Sequence, residues 1–238
     1  MTPTPLAEVA SSERPALFER PTWSETSTAG RLFATGGDEM ATLRHCATVA
    51  DRCLGDFSRA LELLTARERE RAILFTALVD ALLDLAVGPG PADCAERVAD
   101  LNRVAFQLAR ALRGETPESA FLRLLAAEAR RRTFTRRALD ELFAAARVLA
   151  RDPRPADAAV LDVRSRQLGE AVVTALLGAE ATPSVIDLAA GAIRLARLQH
   201  LSLELSRRFC SLPVNDLAEP LQYRGEAEIV AAIGRECG

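Results

Sequence analysis

A chain of 238 residues that is 49% hydrophobic can fill one sizeable core, and one domain is favoured over two. Aromatics are only 5%, with one Tyr and one Trp, which argues against a β-sandwich or barrel built on aromatic and β-branched residues. The net charge of -3 excludes a strong general attraction to nucleic acid, and no basic stripe interleaved with stacking aromatics is present. Arg supplies all the basic residues and Lys is absent, a coding bias that says little about partners.

Ala, Leu, Arg and Glu dominate, so intrinsic propensity favours helix almost throughout. The five cysteines (Cys46, Cys53, Cys94, Cys210, Cys237) form no CxxC pair and no Cys/His cluster with zinc spacing. Scattered and odd in number, they suit reduced thiols. The N-terminus lacks a basic-then-apolar signal, and no apolar run reaches the 18 or so residues that span a bilayer. A cytoplasmic protein without a transmembrane segment is expected.

Residues 1–36 are rich in Thr, Ser, Pro and Gly and read as a flexible N-terminal arm, with Leu17, Phe18 and Trp23 as docking residues. Residues 37–238 read as one helical-bundle domain. A first helix covers roughly 38–64 with a break near Gly55. A second runs over 66–87 and stops at Gly88-Pro89-Gly90-Pro91. A third covers 92–112. Thr116-Pro117 reads as N-cap and first residue of a fourth. The fifth covers 133–151, the sixth 157–177 and the seventh 182–209, with a short last helix at 225–236. Short breaks between long helices imply antiparallel neighbours, hence an all-α antiparallel bundle.

The second helix carries the most unusual charge pattern. From Ala72 to Val87 its only charges are Asp80 and Asp84, at i and i+4. A helix apolar all round sits inside a bundle, so these carboxylates are expected to face an interior or a cavity. Side chains four apart share a face, and at an effective dielectric near 20 two like charges roughly 6 Å apart repel by roughly 3 kcal/mol. Arginines, a metal ion or protonation of one acid must compensate; the bland alternative is a solvated stripe or simple pairing with arginines. Paired carboxylates are natural Mg2+ ligands. The seventh helix repeats the motif with His200 and Glu204 among leucines, with Arg194, Arg197, Arg207 and Arg208 on nearby turns. A satisfied core histidine is the competing explanation for His200.

The run Asp56-Phe57-Ser58-Arg59-Ala60-Leu61-Glu62-Leu63-Leu64, then Arg69-Glu70-Arg71-Ala72-Ile73, then Asp80-Ala81-Leu82-Leu83-Asp84 resembles the opening of squalene/phytoene synthases, where a similar stretch leads into the first aspartate-rich motif. Residues 134–150, 161–178 and 189–213 resemble later family segments in order and spacing, the last ending Cys210-Ser211-Leu212-Pro213 where the family has "YLP". The similarity spans roughly residues 40–220.

That resemblance implies an isoprenoid-synthase bundle in which two acidic motifs face each other across a central cavity, holding Mg2+ and an allylic diphosphate. Asp80 and Asp84 match the first motif, with Ala81 replacing an inner acid and Ala77 an arginine one turn earlier. His200 and Glu204 fall where the second motif has its aspartates, and Gln199 replaces an arginine. Arg164 stands where a tyrosine is common. The resemblance makes Asp80, Asp84, His200 and Glu204 catalytic, with Mg2+ on Asp80, Asp84 and Glu204. It assigns Arg194, Arg197 and Arg207 to the diphosphate and Phe57, Leu83 and Leu203 to the cavity wall.

These departures disfavour head-to-head condensation of two long prenyl diphosphates. The expectation is a prenyltransferase that moves a short allylic group, such as dimethylallyl, from its diphosphate to a small non-isoprenoid acceptor. Squalene-synthase-like enzymes that prenylate aromatic secondary metabolites, carbazoles among them, are the precedent. The alternative is an inactive descendant acting as a scaffold or assembly protein. A homodimer is compatible with either.

Overall fold

The computed structural model describes residues 27–88, 93–131, 136–153, 155–177 and 182–210, with 56, 57, 60, 177, 195, 196 and 199–210 described as backbone only. The architecture is all-α: α1 (Thr28–Phe33), α2 (Glu39–Leu54), a 3-10 segment (Gly55–Leu63), α3 (Ala66–Val87), α4 (Cys94–Leu112), α5 (Ala120–Arg130), α6 (Arg136–Arg151), α7 (Ala158–Leu177) and α8 (Pro183–Cys210). Among the described residues there is no strand, only an isolated bridge between Gly36 and Ser119. No described helix is long and apolar enough to cross a membrane.

The central helix is α3. Its start is fixed by a capping box, in which the Thr65 hydroxyl accepts from the Glu68 amide and the Glu68 carboxylate accepts from the Thr65 amide. From Leu74 to Ala86 it is buried at nine positions: Leu74, Phe75, Ala77, Leu78, Ala81, Leu82, Leu83, Leu85 and Ala86. Burial on nearly every side follows from its neighbours, because α1, α2, α4, α5 and α6 all pack against it. Leu83, expected on a cavity wall, is buried in this core. The side chains of Phe57 and Leu203 lie outside the described residues.

The other helices are one-sided. Leu101, Val104, Leu108 and Ala111 make the buried stripe of α4, and Leu139, Leu142, Phe143, Ala146 and Leu149 that of α6. Next in the packing order, α7 lies on α6 and α8 on α7. Arg166 pairs with Asp187, and Asp162 with Arg194, so numbers rise along α7 as they fall along α8. These two helices are therefore antiparallel. Their backbones meet closely at Gly169, where a Cβ would lie 2.7 Å from the Ala190 amide nitrogen.

Three boundaries differ from the sequence expectation. The break at Gly55 is real, but the residues beyond it wind as 3-10 helix. The cap of α5 is Ser119, not Thr116, because its hydroxyl donates to the Leu32 carbonyl at 2.7 Å and accepts from Leu122 N. The largest difference concerns the segment read as a flexible arm to residue 36. Ser27 caps α1, and Ala29, Leu32 and Phe33 of α1 are core residues, Phe33 meeting Phe121 edge-on at 5.7 Å. A six-residue helix is too short to announce itself by periodicity. Arg123 on α5 ties down the connection by donating to the carbonyls of Gly37, Pro117 and Glu118 and to the Glu39 carboxylate. Residues 1–26, with Leu17, Phe18 and Trp23, and the helix expected at 225–236 lie outside the described residues.

Candidate functional site

Thr76, Asp80 and Asp84 are spaced by four along α3 and leave a half-buried polar stripe on a helix otherwise sunk in the core. The end of α2 and the start of α1 cover it. Asp80 accepts from the Arg52 guanidinium at 2.7 Å through Oδ2 and from the Cys53 thiol at 3.3 Å through Oδ1. Asp84 accepts from the Ala29 backbone N–H at 3.0 Å. The same Arg52 guanidinium donates to the Thr28 hydroxyl at 3.0 Å, so one side chain joins α1, α2 and α3.

This arrangement answers the electrostatic problem the sequence posed. Each carboxylate faces positive charge: Asp80 an arginine, Asp84 the amide end of a short helix. The Asp80 side chain is 19% exposed and its Arg52 partner 63%, so the ion pair stands at the surface and contributes at most about 1 kcal/mol. A charge-assisted bond such as that from Ala29 N to Asp84 is worth more, roughly 1.5–3 kcal/mol. Gly88, which ends α3, lies against Asp84: a Cβ there would fall 2.5 Å from Oδ1. A larger residue at 88 would meet the Asp84 backbone carbonyl oxygen even more closely, so the end of α3 would have to shift together with the carboxylate.

Two neighbours have shifted proton affinities. Desolvation of the sulfur and then the adjacent Asp80 charge push the Cys53 thiol up to about 12, making it a hydrogen-bond donor and not a nucleophile. Burial, Arg31 and Arg52 lower the His45 pKa from 6.5, and its Nε2 is buried with no hydrogen-bond partner. The folded protein thus resists protonating His45, while the unfolded chain takes up a proton as pH falls through about 6.5. Stability is full above that pH and declines below it. Thermal melts from about pH 7.5 to 5.5 should show a shallower decline in His45→Gln than in the wild type. Equal slopes would contradict this.

The predicted site residues do not all converge. Asp80 and Asp84 share one stripe, but their cation is Arg52. Arg194 pairs with Asp162 of α7 at 2.7 Å, and Arg197, only 3% exposed, donates to the Pro153 carbonyl in the turn between α6 and α7. Arg164 pairs with Asp152. The side chains of His200, Glu204 and Arg207 lie outside the described residues. Sequence reasoning missed Arg52, Cys53, His45 and the Ala29 amide, because no local spacing links residues 28–53 to residue 80.

Two carboxylates one turn apart fit Mg2+ in donor type, since this ion is commonly held by one or two carboxylates with substrate phosphates and water completing its shell. Among the described residues no group of three or more His, Cys, Asp or Glu could hold a metal ion. Comparison with family models, curated proteins and solved structures finds no match to this chain.

Proposed function

We propose that the protein is a Mg2+-dependent prenyltransferase with an isoprenoid-synthase-type bundle around a central cavity, and that it works in the cytoplasm. It would transfer a short allylic group, such as dimethylallyl, to a small aromatic, non-isoprenoid acceptor. The observation that carries this reading is the half-buried pair Asp80 and Asp84 beside the exposed Arg52 guanidinium. The ordered resemblance over residues 40–220 supplies the reaction class.

On this reading Asp80 and Asp84, with Glu204, hold the Mg2+, whose role is to neutralise the diphosphate as it leaves. Arg52 turns from Asp80 toward the diphosphate at small cost, because an exposed ion pair is weak. It takes the part first given to Arg194 and Arg197, which are engaged against α7 and the turn before it; Arg207 keeps its part. His200 or Glu204 accepts the proton lost when the acceptor ring regains aromaticity.

A second reading has an observation of its own. Both carboxylates already have protein partners, as a purely structural cluster requires, and a non-catalytic scaffold would need no more. Turnover separates the two. The full-length protein, given dimethylallyl diphosphate, MgCl2 and a panel of indole, carbazole and phenol acceptors, should release pyrophosphate and add one prenyl mass. Asp80→Asn with Asp84→Asn should abolish both signals, and undiminished turnover in that variant would contradict the enzyme reading. Farnesyl and geranylgeranyl diphosphate should give no hydrocarbon.

A further inference from the structure

The contact between α1 and the acidic stripe has a consequence for access. Three of the four carboxylate oxygens that a cation would need are engaged by protein donors. Asp80 presents Oδ2 to Arg52 and Oδ1 to Cys53, and Asp84 presents Oδ2 to Ala29 N. Two of these partners, the Arg52 guanidinium and the amide end of α1, bring positive charge to the position a cation would take. A divalent ion and the docked first turn of α1 therefore oppose each other.

The construction of α1 suits it to yielding at one end only. Its second half is anchored in the core through Leu32 and Phe33. Its first turn buries only the small Ala29 side chain and is otherwise held by polar contacts: the Ser27 hydroxyl on Gly30 N, Asp84 on Ala29 N, and Arg52 on the Thr28 hydroxyl. A helix of six residues has little stability of its own, so its first turn lasts only while those contacts last.

We propose that the first turn of α1 is an autoinhibitory latch on the Asp80–Asp84 pair, closed by Ala29 N and by Arg52 bridging Thr28 to Asp80, and lifted when a cation and diphosphate bind. The inference rests on the prenyltransferase reading of that pair, and the latch can fail while that reading stands. Closed, the latch spares the two acids their mutual repulsion; opening hands that task to the cation and frees Arg52 for the diphosphate.

The test is calorimetric titration of the full-length protein with inorganic pyrophosphate in excess MgCl2, comparing the wild type with Ser27→Ala/Thr28→Val. This double variant removes the cap of α1 and its strap to Arg52 while leaving the core and the acids untouched. It should bind at least about tenfold tighter, a difference of about 1.4 kcal/mol. Binding by the variant alone supports the latch equally. Equal or weaker binding by the variant overturns the latch and leaves the diphosphate reading standing, whereas no binding by either protein overturns both. Leu32→Ala, which loosens α1 from its other end, should shift affinity in the same direction. Hydrogen exchange gives an independent readout: magnesium pyrophosphate should speed exchange of the Ala29–Phe33 amides and leave those of Leu74–Leu82 protected. Unchanged protection of α1 with pyrophosphate bound would overturn the latch.

Discussion

Phe33→Ala should destabilise the protein by about 3–5 kcal/mol, the usual cost of removing a buried phenyl ring. The ring is 5% exposed and meets Phe121 of α5 edge-on at 5.7 Å, so the truncation removes both burial and an aromatic contact. In a chain of this size that corresponds to a fall in melting temperature of roughly 6–20 °C. The effect reaches beyond the cavity. Phe33 is the last residue of α1, and without it the first turn loses the anchor that keeps Ala29 over Asp84. Denaturant titration with an unchanged m-value should give the loss; a change below about 1 kcal/mol would show that α1 is not part of the cooperative core.

Gly169→Val should separate α7 from α8. A Cβ at 169 would lie 2.7 Å from the nitrogen and 3.0 Å from the Cα of Ala190, and these backbone atoms cannot turn aside as a side-chain tip could. Overpacking of a well-packed interior typically costs about 1–3 kcal/mol, and a collision with a helix backbone belongs at the upper end of that range. Since α8 packs along α7, its displacement would also move the segment that carries His200 and Glu204. Gly191 is the control. Nothing lies within 4 Å of a Cβ there, so Gly191→Ala should be neutral or stabilise by up to about 1 kcal/mol. Similar losses at both positions would mean that close α7–α8 contact is not what Gly169 provides.

Much of this architecture was legible before the structure. The helix Ala66–Val87 is readable because strong signals bound it: Thr65 and Glu68 at one end and Gly88-Pro89 at the other. Long amphipathic stretches such as α4 and α6 announce themselves by period. Short elements do not. Helix α1 has too few residues to show a period, and its stability comes from tertiary partners, namely Asp84, Ser119 and Phe121.

The candidate site divides along the same line. Asp80 and Asp84 were conspicuous because two charges on an apolar helix demand compensation. The compensating groups were not, because Arg52 lies 28 residues from Asp80 and Ala29 lies 55 from Asp84. The nearest candidates by sequence logic, Arg194 and Arg197, belong to α8 and have local tasks against α7 and Pro153. Local patterns show which charges need a partner, while the tertiary fold decides which partner they get.

The proposal that Asp80 and Asp84 receive a diphosphate-bound Mg2+ is tested most directly by ligand-linked stability. The full-length protein is melted with MgCl2 and a non-ionisable thio-analogue of dimethylallyl diphosphate, beside Asp80→Asn/Asp84→Asn. At 100 times the dissociation constant the ligand should stabilise the wild type by about 2.7 kcal/mol and the double variant not at all. No shift in the wild type, or an equal shift in both proteins, would contradict it.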